Sequence, residues 1–450
     1  MLLSRPMRCA HRAPFHPSEI PMASIPQPGL AVTEHDGSRS NTPALVIVTL
    51  LFFMWGVLTA LNDVLIPHLK ALYTLSYVQA MLVQFCFFGA YAVVSIPAGA
   101  LIRRIGYQNG AVAGLVVAAA GCAMFYPAAV SGYGLFLLAF FVLAAGITVL
   151  QVAANPYVTV LGDPRTAASR LNLTQAFNSL GTTLAPAVGG MLILSGAVLS
   201  ADQIAALPAV EQAAYRSQEA ALVQGPYLAL AAALLLLGIL FKMARLPRIA
   251  QGAQASGGML AVLRHRHLLL GAIGIFLYVG AEVSIGSFLI NFLGERSVAG
   301  LSHADAAYYV SYYWGGAMIG RFVGAAAMRH LSPGRTLAGN AACTVLLLAA
   351  AMFGQGSVAM WAVIAVGLFN SIMFPTIFSM ALHRLGSATG QASGILCVAI
   401  VGGALVPFGQ GLVADHAGLH LSFAVPAACY LFILYYGIRY ANLHREGTPA

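Results

Sequence analysis

Long apolar stretches separated by short polar segments run through most of the chain. Lipid offers no partners to backbone N–H and C=O groups, so apolar stretches of about 20 residues are typical of membrane-spanning helices. The pattern therefore predicts an all-α integral membrane protein with twelve transmembrane helices. The predicted spans are 44–67, 78–102, 109–130, 134–161, 170–197, 223–245, 266–293, 304–329, 335–354, 358–382, 389–414 and 419–440.

These spans fall into two groups of six. We expect a first half at 43–245 and a second half at 266–441, joined by a cytoplasmic linker at 246–265 that is rich in Gly, Ala and basic residues. Residues 1–42 lack an apolar core and are predicted to form a disordered cytoplasmic tail, and 442–450 a second tail. The loop 198–222 is acidic and is predicted to lie outside the cell.

Composition and charge agree with this topology. The chain is 60% hydrophobic and 8% charged, with a net charge of +9. That charge does not indicate nucleic acid, because the basic residues cluster in loops on one side of the membrane if both termini are cytoplasmic. The basic positions are Arg103, Arg104, Arg165, Arg170, the segment 245–266, Arg329, Arg335, Arg384, Arg439 and Arg445.

An internal repeat relates the two halves. LGTTLAPAVGG at 180–190 aligns without gaps with VGGALVPFGQG at 401–411, so glycines and a proline recur in the fifth helix of each half. Parallel repeats around a central site are typical of secondary transporters.

Two acidic residues lie in the interior of predicted spans, Asp63 and Glu282, in the first helix of each half. Ionisable residues are costly in a membrane and usually mark a pathway, so we predict that both couple transport to a cation. Asn62, beside Asp63, is predicted to contact the substrate. The alternative is a structural carboxylate bonded to a neighbouring helix. For Glu282, direct acceptance of a sugar hydroxyl is also open.

Neutral amides cluster in the first half. Thr148, Gln151 and Asn155 share one helix stripe, and Asn172, Gln175 and Asn178 share another. Amides offer donors and acceptors to a polyhydroxylated ligand. The second-half equivalents of Gln175 and Asn178 are Leu396 and Ala399, so we predict that most polar ligand contacts come from the first half. Interhelical hydrogen bonding is the alternative for each amide.

Prolines predict irregular helices in both halves. Asn155 precedes Pro156, and Asn370 lies shortly before Pro375, so both helices are expected to have broken or mobile segments near these amides. Asn370 is a further candidate ligand contact. Arg321 is interpreted as a gating or anchoring residue that snorkels or pairs.

Several classes of function find no support. No phosphate-binding Gly-Lys loop and no metal-ligand spacing occur, and the six cysteines lack a CxxC arrangement. We therefore predict no enzyme activity, no metal, no organic cofactor and no nucleic-acid partner.

Four motifs carry a family resemblance. LFFMWGVLTALNDVLIPHLK, LQVAANPYVTVLG, RLNLTQAFNSLGTTLAP and LFNSIMFPTIFS make the chain resemble the major facilitator superfamily, in particular its fucose permease branch and the bacterial glucose/galactose transporters. The resemblance implies cation-coupled sugar transport, with Asp63 as the coupling carboxylate. Fucose permeases carry a glutamate where this chain has Gln151, and an amide where it has Glu282. This suggests that the second carboxylate has moved between halves.

The sequence thus predicts a monomeric sugar:proton symporter of the bacterial inner membrane that imports glucose, galactose or both. Sodium coupling, fucose or another monosaccharide as substrate, and a sugar sensor without transport are the alternatives.

Overall fold

The computed structural model describes residues 42–72, 77–193, 207–244, 246 and 262–443, and these are almost entirely helical. The helices of the first half are α1 (Thr42–Leu72), α2 (Tyr77–Ser131), α3 (Tyr133–Val160), α4 (Ala167–Ile193) and α5 (Ala209–Met243). Those of the second half are α6 (Arg266–Gly294), α7 (His303–Ala327), α8 (Pro333–Phe353), α9 (Gly356–Asn370), α10 (Met373–Ala381), α11 (Thr389–Val398), α12 (Gly402–Ala417), α13 (Leu419–Ser422) and α14 (Ala424–Arg439).

Eight helical segments within the described residues are long and apolar enough to cross a membrane. One of them, Phe85–Ala128, covers two predicted spans because α2 continues across a kink at Gly106, where φ is 82°. Three further predicted spans correspond to α1, α4 and α7. In the first, the described side chains include the apolar segment Ala44–Thr59, and the other two carry more polar side chains. The helix count is therefore consistent with twelve spans.

Two local predictions are wrong. Residues 209–222 are helical and not part of a loop, because α5 begins at Ala209. This segment is rich in alanine, the best helix former, and Glu211 lies in the first turn, where its charge is favourable. Helix α3 also continues through Pro156 without a break.

The predicted break near Pro375 is confirmed, since α9 ends at Asn370 and α10 begins at Met373. Proline lacks an N–H and so leaves unpaired the carbonyl four residues earlier. In α3 that carbonyl belongs to Val152, and it accepts a hydrogen bond from Ser393 Oγ of α11 at 3.1 Å. The equivalent carbonyl in the second half belongs to Ser371.

The internal repeat has a direct structural counterpart in two close helix crossings. A Cβ at Gly181 would lie 2.4 Å from Phe53 O, so α4 packs tightly on α1. A Cβ at Gly402 would lie 2.0 Å from Phe276 O, which places α12 on α6 in the same way. When α1 and α6 are aligned so that Phe53 matches Phe276, Glu282 corresponds to Thr59. Position 63, one turn farther along α1, corresponds to Gly286.

The two halves contact each other near the loops that carry the basic residues. Ser169 Oγ donates to Ala325 O at 2.5 Å, and Asn172 Nδ2 donates to Thr376 Oγ1 at 3.2 Å. On another side of the bundle, α2 and α11 cross closely, since a Cβ at Gly394 would lie 2.8 Å from Ser95 O. We call the end of the bundle that carries the basic loops, and where these contacts lie, the basic end of the bundle.

Replacing Gly402 by alanine tests the crossing of α12 with α6. Overpacking costs about 1–3 kcal/mol, so Gly402→Ala is expected to lower the Tm of the detergent-purified protein by several degrees. Gly409→Ala is the matched control, since a Cβ there meets nothing within 4 Å on the same helix. Alanine favours helix at both positions, so equal Tm values for the two variants would contradict the proposed packing.

Candidate functional site

Glu282 and Arg321 form an ion pair within the bundle. Arg321 Nη2 lies 3.6 Å from Glu282 Oε1, and the side chains are 13% and 15% exposed, respectively. Tyr278, one turn earlier on α6, donates its hydroxyl to the same Oε1 at 2.8 Å. The guanidinium of Arg321 and the hydroxyl of Tyr278 therefore share one side-chain oxygen of Glu282.

Arg321 also bonds to groups on two other elements. Its Nε donates to Ser371 O at 3.1 Å, the carbonyl that Pro375 leaves without a helical donor. Its Nη1 donates to Ser179 Oγ on α4. We refer to Glu282, Arg321, Ser371 and Ser179 as the Arg321 cluster. This cluster joins α6, α7, the break between α9 and α10, and the first half.

Asn370 lies at that same break and is fully buried. Its Nδ2 donates to the hydroxyls of Tyr313 at 2.8 Å and Tyr430 at 3.2 Å. Its Oδ1 has no hydrogen-bond partner among the described residues. The two tyrosines thus fix the orientation of the amide and leave one acceptor free for a ligand or water.

Four amides of the first half are also buried with unsatisfied atoms, and in Asn172 this atom is Oδ1. Gln151 Nε2 donates to Tyr91 OH at 2.8 Å, while Oε1 is unpaired among the described residues. Both polar side-chain atoms of Asn155 and the Nε2 of Gln175 are likewise unpaired there. A buried polar group without a partner costs about 1–3 kcal/mol. These positions are expected to bind a hydroxylated ligand or water.

The amide nitrogen of Asn172 and the remaining polar candidates in these helices have partners in the protein. Asn178 Nδ2 donates to Phe52 O at 2.9 Å and so connects α4 to α1. Asn172 Nδ2 donates to Ala168 O at 2.9 Å as well as to Thr376, and Thr148 Oγ1 donates to Ala144 O at 2.8 Å. For these three residues the structure favours the alternative of helix bonding. The role of Asn178 as a ligand contact stays a prediction.

Asn62 and Asp63 lie in α1, but their side chains fall outside the described ones. Their predicted roles stay predictions. Ser179 and Tyr278 were not predicted as site residues, and Arg321 was interpreted as a gating or anchoring residue. A charge in the interior of an apolar span and the carbonyl freed by Pro375 are the two sequence signals that point to this cluster.

Comparison with known proteins identifies the family. The family model of the Major Facilitator Superfamily matches residues 45–400. A glucose/galactose transporter of Brucella abortus is 56% identical over 418 residues, which cover 92% of this chain and 98% of the relative. The L-fucose-proton symporter of Escherichia coli K12 is 34% identical and covers 88% of this chain and 92% of the symporter.

The fold comparison gives the same answer. The crystal structure of the transporter FucP in its outward conformation matches with a TM-score of 0.84 and 34% identity, covering 89% of this chain and 99% of FucP. The chain therefore belongs to the Major Facilitator Superfamily. It is a multi-pass membrane transporter and not an enzyme. The predicted fold and family are confirmed.

Asn155 and Asn172 provide a test of which amides are free. Replacing Asn155 by leucine removes unpaired polar atoms, so we expect the Tm without sugar to rise or stay unchanged. Asn172→Leu is the matched control on α4, because it removes two hydrogen bonds and is expected to cost about 1–3 kcal/mol. A clear loss of stability for Asn155→Leu would indicate that its amide is bonded within the protein.

Proposed function

We propose that this protein is a proton-coupled sugar transporter that imports glucose, galactose or both by alternating access. The observation that carries the proposal is the 56% identity to the Brucella abortus glucose/galactose transporter along nearly its whole length. The relationship to the E. coli L-fucose-proton symporter supports proton coupling.

The buried amides suit a monosaccharide. A sugar hydroxyl both donates and accepts, and the unpaired atoms of Gln151, Asn155, Gln175 and Asn370 include amide donors and amide oxygens. Three of these residues lie in the first half and one in the second. A sugar held between the halves would contact both, as alternating access requires.

Gln151 favours glucose or galactose over fucose. The resemblance to fucose permeases places a glutamate at this position, so an amide removes a titrating group and replaces an acceptor-only side chain with one that also donates. Tyr91 already accepts from Gln151 Nε2. The free Oε1 is then the atom that would accept a sugar hydroxyl.

For coupling we propose Asp63 and Glu282, with a proton as the cation and sodium as the alternative. Glu282 is paired with Arg321 in this conformation. Movement of the guanidinium away from Glu282 would favour proton uptake by this carboxylate. Asp63 is the second candidate for proton binding.

In the cell we place the protein in the bacterial inner membrane as a monomer. Both termini and the linker 246–265 would face the cytoplasm, because loops rich in Lys and Arg favour that side of the membrane. With this orientation the contacts at the basic end close the cytoplasmic side. Each chain would hold a complete site between its own two halves.

Uptake into proteoliposomes tests coupling through Asp63. With labelled glucose, an imposed inward proton gradient and no sodium, wild type is expected to accumulate sugar above equilibrium. Asp63→Asn is expected to lose accumulation but to retain equilibrium counterflow, because the neutral amide permits exchange without proton cycling.

The controls in this experiment separate the alternatives. Accumulation by Asp63→Asn at the wild-type level would remove Asp63 from the mechanism. Accumulation driven by a sodium gradient alone would replace the proton by sodium. Counterflow with labelled fucose but with neither glucose nor galactose would overturn the proposed substrates.

A further inference from the structure

The Arg321 side chain connects the two halves of the bundle. Its guanidinium contacts Glu282 on α6, Ser371 O at the helix break and Ser179 on α4. The first two partners move with the second half. Ser179 belongs to the first half, so separation of the halves at the basic end would break the Arg321–Ser179 contact and leave the other two intact.

The position of Arg321 relative to the second half is tightly fixed. A Cβ at the preceding Gly320 would lie 2.3 Å from Leu368 O, so the backbone of α7 lies directly against α9. The carbonyl of Ser371 is available because Pro375 cannot donate to it. The guanidinium is therefore oriented before it meets the first half.

Ser179 has the right chemistry to receive this donor. Its hydroxyl donates to Gln175 O at 3.1 Å along its own helix, which leaves its oxygen lone pairs to accept from Arg321. The residue is 4% exposed. The side chain of Glu282 offsets the cost of burying the guanidinium of Arg321 at the interface.

We propose that Arg321 is a positioning residue that holds the two halves together through Ser179, and that loss of this contact is part of the step that opens the basic end. The inference rests on the proposed alternating-access function. It assigns to Arg321 a contact with the protein itself, whereas Asn370 and the first-half amides remain the candidate contacts to sugar.

The distance between the halves can be measured without sugar. Spin labels on cysteines introduced at Arg104 and Arg384, both exposed at the basic end, report its opening in a background whose native cysteines are replaced by alanine. A hydrogen bond to a charged group is strong enough for its loss to shift an equilibrium about tenfold. Ser179→Ala is therefore expected to raise the ratio of the long-distance to the short-distance population about tenfold.

Three further variants make the result specific. Ser179→Thr keeps a hydroxyl and should restore the wild-type distance distribution. Thr182→Ala is the matched control on α4, because among the described residues that hydroxyl donates only to Ser179 O of its own helix, at 2.8 Å. Arg321→Lys keeps the charge but lacks the planar fork that reaches several acceptors, so it should shift the distances in the same direction as Ser179→Ala.

Unchanged distances in both Ser179→Ala and Arg321→Lys would overturn the proposal, even if wild type transports sugar. An equal shift in Thr182→Ala would also overturn it, since the effect would then be a general loosening of α4. Failure of wild type to transport any sugar would instead contradict the proposed function. The two failures are therefore distinguishable.

Discussion

Charge inside an apolar helix bundle has to be partnered, and the Arg321–Glu282 pair is the interaction on which the centre of this structure depends. Breaking such a pair by removing one member leaves an uncompensated buried charge, which typically costs about 3–5 kcal/mol. Here the guanidinium satisfies two further oxygens, so the cost of its burial is shared between an anion, a carbonyl and a hydroxyl. These partners come from both halves, so the need to partner the buried guanidinium also connects the two halves.

The prolines contribute acceptors at the same interface. Val152 O and Ser371 O are both carbonyls that lose their helical donor to a proline four residues later. Ser393 supplies a donor to the first across the two halves, and Arg321 supplies one to the second. In a membrane such carbonyls need partners from the protein or from water in a cavity. They are therefore suitable places for contacts that form and break as the halves move.

Helix spans, topology class and the internal repeat could be predicted because lipid restricts the chain to apolar helices. The crossing at Gly402 could also be expected from its alignment with Gly181. The pairing of Tyr278 with Glu282 follows from one helical turn. By contrast, the partners of Arg321 come from positions 39, 50 and 142 residues away along the chain. Helical periodicity carries no information on such contacts.

The amides also show that residue type does not predict which side chains are hydrogen-bonded. Asn155 and Asn172 have the same side chain and lie in similar apolar helices, yet among the described residues the Nδ2 of Asn155 is unpaired and the Nδ2 of Asn172 is bonded twice. Residue type alone cannot distinguish them, because the difference lies in which helix is opposite. The helix at 209–222 is not predicted, because its charged residues are typical of a loop whereas its alanines favour a helix.

The most direct test of coupled transport is to record external pH while sugar enters. Wild-type proteoliposomes in weakly buffered, sodium-free medium, with potassium and valinomycin to prevent a charge build-up, would receive unlabelled glucose. The account predicts an immediate rise in external pH as protons enter with the sugar, and its loss when a protonophore is present from the start. Glucose entry with no change in external pH would contradict proton coupling.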